Sequence, residues 1–260
     1  MDQIPLTYSD RGSGPPVVLL HAFPLNRRMW DVQIEAWLDH YRLIAPDWRG
    51  FGESPLSAGA FSMESCADDL HQLLAHLGVR EKIILLGVSM GGYIAFEFVR
   101  KYQDLLQALV LVATQPVADS EAGRKTRYET AEFVQKEGIG ALAERLIPKL
   151  LGRTTLETRP QVVERVRALI RSNSAAGIAK ACQGLASRRD STPALQQIRI
   201  PTLIIAGSED AIVPRDQAET MRREIAQSRL SVIERSGHLI NLEQPDDFGN
   251  TVLDFLKGRF

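Results

Sequence analysis

Six short apolar runs, each closed by a turn residue and followed by a longer segment of helical period, constrain this chain most. The runs cover residues 17–21, 42–46, 82–88, 108–113, 202–206 and 230–234, and helical periods cover 32–39, 63–77, 90–102, 215–225 and 245–256. Strands apolar on both faces, alternating with amphipathic helices, predict a mainly parallel sheet with helices on both sides. Ligands of such sheets bind beyond the carboxyl ends of the strands, so chemistry is sought there.

The alternation stops between about Val117 and Asp190, where helical periods replace strands. Leu142, Leu146 and Leu150, then Val162, Val163, Val166, Leu169 and Ile170, mark apolar faces, and Gly138, Gly140, Gly152, Pro160 and Gly177 divide the stretch into three or four short helices. The expected organisation is a sheet domain of residues 1–117 and 191–260, with a helical cap of residues 118–190 between two strands. The chain's 260 residues suffice to bury roughly three quarters of the surface its unfolded form exposes. A segment resembling a first strand, residues 6–9, is short, so seven strands or a frayed edge are expected.

Lys+Arg 31 against Asp+Glu 32 gives a net charge of -1, which argues against nucleic acid or an anionic membrane as partner. The charge is unevenly spread: residues 118–190 hold 14 basic and 9 acidic side chains, an excess of +5 that leaves the remainder at -6. Two readings follow, solvated helix faces or a basic lid that attracts an anionic substrate. Cys66 and Cys182 lie far apart without metal-ligand spacing, and read as buried free thiols. No secretory signal pattern opens the chain and no apolar run approaches a membrane span, so a cytoplasmic, soluble protein is expected.

The run Lys82-Ile83-Ile84-Leu85-Leu86-Gly87-Val88-Ser89-Met90-Gly91-Gly92 is a strand, a G-x-S-x-G turn and a helix start in succession. A sharp strand-to-helix turn holds its central side chain clear of the sheet only when its neighbours are small. Ser89 then sits at a helix N-terminus, where free N–H groups favour developing negative charge. A serine hydroxyl needs a base, usually a histidine held by a carboxylate. His71, His76 and His40 lie in or near helices, and His21 reads as loop-shaping. His238 follows a strand in the loop Arg235-Ser236-Gly237-His238 and is the candidate base. Asp210, ending Gly207-Ser208-Glu209-Asp210 after the preceding strand, is the candidate acid, with Glu209 as the alternative. An oxyanion needs two preorganised donors. The backbone N–H of Met90 and that of Phe23, in the turn His21-Ala22-Phe23-Pro24, are the candidates.

With these residues the chain resembles the α/β-hydrolase superfamily along nearly its whole length. The matching motifs are His21 to Pro24, the segment Asp47-Trp48-Arg49-Gly50-Phe51-Gly52-Glu53-Ser54, and the turns at Ser89, Asp210 and His238, in that order. Ala22 departs from the glycine usual in the family, which is tolerated at negative φ. The resemblance implies a serine hydrolase and, because dehalogenases and epoxide hydrolases of this fold use aspartate at the elbow, disfavours both. Residues 181–193 resemble the end of the cap in small bacterial carboxylesterases and 3-oxoadipate enol-lactonases. Gly50-Phe51-Gly52 lacks a third glycine and no Walker lysine follows any glycine cluster, so neither a nucleotide nor any other cofactor or metal is expected. The expected partner is a small-molecule ester or lactone, with monomer and small homo-oligomer both open. Three functions stay in view: carboxylic ester hydrolysis, enol-lactone hydrolysis, and a ligand sensor of this fold with little turnover.

Overall fold

The computed structural model describes residues 6–56 and 58–257. Seven strands form one sheet in the order β1-β3-β2-β4-β5-β6-β7. They are β1 (Tyr8–Arg11), β2 (Pro16–Leu20), β3 (Arg42–Pro46), β4 (Ile83–Val88), β5 (Leu106–Val112), β6 (Thr202–Gly207) and β7 (Ser228–Ile233). Only β1 runs antiparallel, and it pairs with β3 from Tyr8 opposite Pro46 to Arg11 opposite Leu43. The first strand therefore exists, but it lies two residues later than the sequence suggests, with Thr7 outside it.

Successive residues of the central strands enter opposite faces of the sheet. Val18 and Leu20 of β2 and Leu109 and Leu111 of β5 pack with α2 (Met63–His76), α3 (Met90–Tyr102) and α8 (Arg215–Glu224). Val17, Leu19, Val110 and Val112 pack with α1 (Asp31–Trp37) and α10 (Pro245–Leu256). On this second face Trp37 stacks on Phe248 with ring centroids 6.3 Å apart, and Trp30 adds a tilted contact at 6.2 Å. Each such fully buried side chain contributes about 1.5–3 kcal/mol over its exposed state. The start of α2 follows from local chemistry: Ser62 accepts from the Ser65 N–H while Ser65 Oγ accepts from the Ser62 N–H, a reciprocal cap. Both cysteines are buried and free.

Between β5 and β6 the chain forms α4 (Glu121–Leu150), α5 (Arg153–Thr158), α6 (Pro160–Arg171) and α7 (Ala175–Ala186), with no strand. Three of the expected interruptions occur. Gly138 bends α4 at φ 84°, Gly152 precedes α5, and Pro160 opens α6. Gly140 and Gly177 do not break their helices. Gly177 is small because α7 presses on the Gly50 carbonyl, which a Cβ would strike. Among the described residues, no helix is long and apolar enough to cross a membrane.

The helical insertion rests on the loops at the carboxyl ends of the strands. Asn173 donates to Pro24 O at 2.8 Å and accepts from Gly52 N–H at 2.7 Å, Asn26 donates to Ser172 Oγ at 2.8 Å, and Leu150 O accepts from His238 N–H at 3.1 Å.

Candidate active site

Ser89 follows β4 and precedes α3 with φ 53° and ψ -111°, a conformation that costs a non-glycine residue about 1–3 kcal/mol. The surroundings hold it there. Its N–H donates to Val112 O at 2.8 Å, and its carbonyl accepts from Thr114 Oγ1 at 2.9 Å and from Gly92 N–H at 2.8 Å. A Cβ on Gly91 would strike the Leu20 carbonyl, and one on Gly87 the Gly91 carbonyl, so β2, β4 and α3 meet at glycine backbone. Ser89 is 7% exposed, and among the described residues its hydroxyl makes no hydrogen bond, to His238 or to any other group.

Asp210 and His238 follow the neighbouring parallel strands β6 and β7, and the two are in contact. His238 Nδ1 lies 2.9 Å from Asp210 Oδ2, and the other carboxylate oxygen accepts from Ile212 N–H at 2.8 Å and Val213 N–H at 3.1 Å. Burial raises the Asp210 pKa, but the charge and hydrogen bond of His238 and the two backbone donors outweigh it, so the net shift is downward. An ionised Asp210 only accepts. Nδ1 must then carry the proton, which leaves Nε2 as the basic nitrogen. Glu209, the alternative acid, is turned elsewhere: its oxygens accept from Thr154 N–H at 2.8 Å and Thr154 Oγ1 at 2.5 Å.

The backbone N–H groups of Phe23 and Met90 donate to no group among the described residues. The loop that carries Phe23 is fastened from below. His21 Nε2 accepts from Trp48 N–H at 3.2 Å, Asp47 Oδ1 accepts from Arg27 N–H at 2.7 Å, and Asp47 Oδ2 accepts from Glu53 N–H at 3.0 Å and from the Arg27 guanidinium. Asp47 thus joins the loop after β2 to the loop after β3. Ala22 keeps negative φ, so its side chain brings no backbone strain. Phe51 stands beside both His21 and Phe23, with ring centroids 5.1 and 6.4 Å away.

Tyr93, in the first turn of α3, links this region to the insertion. The buried Arg188 guanidinium lies 4.2 Å from its ring centre and pairs with Asp119 at 2.6 Å. Burial pushes the Tyr93 phenol up, the positive charges of Arg188 and Arg127 pull it down, and the negative charges of Asp119 and Asp210 push it up further.

Glu243 was not singled out by sequence reasoning. Its fully buried carboxylate accepts from Gly237 N–H at 3.0 Å and Leu239 N–H at 3.1 Å through one oxygen, and from Gly152 N–H at 2.8 Å and Thr155 Oγ1 at 2.7 Å through the other. Burial pushes its pKa up against the pull of these four bonds, with a net rise. A glutamate between Leu242 and Gln244-Pro245 was the available signal, but partners almost ninety residues earlier in the chain cannot be read locally. Among the described residues, no group of three His, Cys, Asp or Glu side chains is arranged to hold a metal ion.

The sequence profile of the alpha/beta hydrolase fold family matches residues 15–245. An esterase of Thermogutta terrifontis, solved with malate bound, superposes with a TM-score of 0.94 and is 44% identical, covering 98% of this chain and 93% of that one. The enol-lactonase of Burkholderia xenovorans superposes with a TM-score of 0.88 at 26% identity, over 96% of each chain. A 3-oxoadipate enol-lactonase of Acinetobacter baylyi is 28% identical over 98% of this chain and 94% of its own length.

Proposed function

The chain belongs to the α/β-hydrolase fold family, and from that premise we propose that it is a carboxylic ester hydrolase working through an acyl-enzyme. In this reading Ser89 Oγ attacks the acyl carbon, while His238 Nε2 takes the hydroxyl proton and returns it to the leaving alkoxide. Asp210 holds the imidazole and stabilises its charged form, and the N–H groups of Phe23 and Met90 receive the oxyanion. Water activated by the same nitrogen then cleaves the acyl-enzyme. The observation that carries the reading is the Nδ1 to Oδ2 hydrogen bond of 2.9 Å beyond the carboxyl ends of β6 and β7, in the same sheet whose strand β4 leads into Ser89. It orients the unprotonated nitrogen that a serine nucleophile requires. Closure of Ser89 onto Nε2 belongs to the substrate complex, because catalytic hydrogen bonds of free enzymes are often long. Residues 118–190 act as a cap over the site.

Esters come first because the esterase neighbour is the more similar of the structures compared, at 44% identity. A lactone is the second reading, supported by the enol-lactonase relatives, and it uses the same steps with the leaving alkoxide still tethered to the acyl group. A panel of short and long p-nitrophenyl esters, lactones and amides, run with Ser89→Ala, tests both. Ester turnover is expected to fall at least about a thousandfold in Ser89→Ala. Full activity of that variant excludes the mechanism, and a lactone that exceeds every ester in kcat/KM selects the second reading.

A further inference from the structure

The acid loop and the base loop are both fastened to one short stretch of the insertion. Glu209, beside Asp210 in the chain, accepts from the N–H and hydroxyl of Thr154. Glu243 accepts on one side from Gly237 and Leu239, the two neighbours of His238, and on the other from Gly152 and Thr155. The His238 N–H itself donates to Leu150 O at 3.1 Å. The backbones touch as well: a Cβ on Gly152 would stand 2.8 Å from Gly237 N and 2.6 Å from Glu209 Oε2. Arg159, between α5 and α6, completes the junction by donating to the Glu243 carbonyl and to Gln244 Oε1.

We propose that residues 150–155 form a brace that sets the Asp210–His238 geometry, with Glu209 and Glu243 as positioning residues. The proposal rests on the ester-hydrolase reading of that pair. The main chain on both sides of His238 is fixed by one carboxylate oxygen, and the other oxygen fixes the brace. Any displacement of the brace is then transmitted to base and acid together. Neither glutamate touches the reacting atoms. A buried carboxylate with four donors is rigid in a way a loop alone is not, because removing any one donor leaves the others to hold a charge out of water. Seating of the insertion thereby assembles the acid–base pair, so the cap supports catalysis in addition to covering the site.

Glu243→Gln conserves volume but places an amide N–H against donors on one side of the junction. Thr155→Val removes a single bond from the opposite partner and leaves the carboxylate intact. Both are made in the full chain, with their double mutant, beside Glu209→Ala and Glu209→Gln, the latter able to keep both bonds to Thr154. Glu243→Gln is expected to lower kcat by about tenfold or more with KM within about twofold, because small displacements of catalytic groups cost rate and not binding. The low-field proton resonance of the His238 Nδ1–H bonded to Asp210 is expected to shift or broaden with it. Thr155→Val is expected to do the same in smaller degree and non-additively with Glu243→Gln, and Glu209→Ala is expected to lose several-fold more kcat than Glu209→Gln. An unchanged kcat and an unchanged resonance in folded Glu243→Gln and Thr155→Val, with only a lower Tm, would overturn the brace. Full activity in His238→Ala would instead reject the ester-hydrolase reading, whereas the resonance reports the Asp210–His238 geometry independently of turnover.

Discussion

His21 illustrates how a single residue fastens a loop of the candidate site through its hydrogen bonds. Its Nε2 accepts from Trp48 N–H, so its proton is on Nδ1, which faces Ala22 O at 3.1 Å. Burial holds its pKa down to about 4, although the charge of Asp47 pulls it upward. An unfolded imidazole takes up a proton near 6.5 and the folded one only near 4, so the stabilising contribution is complete above pH 6.5 and is lost as pH falls from 6.5 through 4. The gap corresponds to on the order of 3 kcal/mol. Nitrogen chemical shifts of His21 at pH 5.5 are therefore expected to show a neutral ring protonated on Nδ1, and titration near 6.5 would contradict the assignment. The sequence placed His21 at a strand end beside the site and read it as loop-shaping. Its partner at Trp48 depends on how β2 and β3 lie side by side, which no local pattern contains.

At the scale of elements, the strand–turn–helix unit at Ser89 was legible because every requirement is local: an apolar strand, small residues and an amphipathic helix within fourteen residues. The glycines show the difference between required and incidental smallness. Gly91→Ala drives a Cβ into the Leu20 carbonyl, whereas the same change at Gly140 meets only Arg171 Nε at 3.9 Å inside a helix. Urea denaturation is expected to show Gly91→Ala destabilised by at least about 1–3 kcal/mol and Gly140→Ala stabilised by about 0.4–1 kcal/mol. Equal midpoints would contradict the packing described. The helix boundaries of the insertion were only partly legible for the same reason. Gly138 bends its helix, while Gly177 is a glycine for the sake of a contact with Gly50, a neighbour in space alone. The junction of Glu209 and Glu243 with α5 was not legible at all, since it joins three segments distant in sequence.

Across the whole molecule, the uneven charge read from the sequence joins the two parts of the chain. Basic residues of the insertion pair with acids of the sheet domain, Arg165 with Asp31 at 2.5 Å and Arg189 with Glu64 and Glu97 at 3.1 and 3.0 Å. Others, such as Arg167 with Glu144 and Glu164, are neutralised within the insertion. Paired charges leave little field to steer a substrate, so kcat/KM of a carboxylate-bearing ester and of a neutral one are expected to respond alike to salt. A selectively steeper fall for the anionic ester would restore the basic lid. The architecture itself was legible as alternation of strands and helices, and the order of Ser89, Asp210 and His238 along it located the candidate chemistry. A serine that attacks the acyl carbon also attacks phosphorus, so a p-nitrophenyl alkylphosphonate is expected to trap Ser89 stoichiometrically. Release of one p-nitrophenolate per chain and a phosphonyl adduct on the peptide containing Ser89, both absent in Ser89→Ala, is the predicted result. Unimpaired ester turnover in an enzyme without that adduct, or an adduct on another residue, would contradict it.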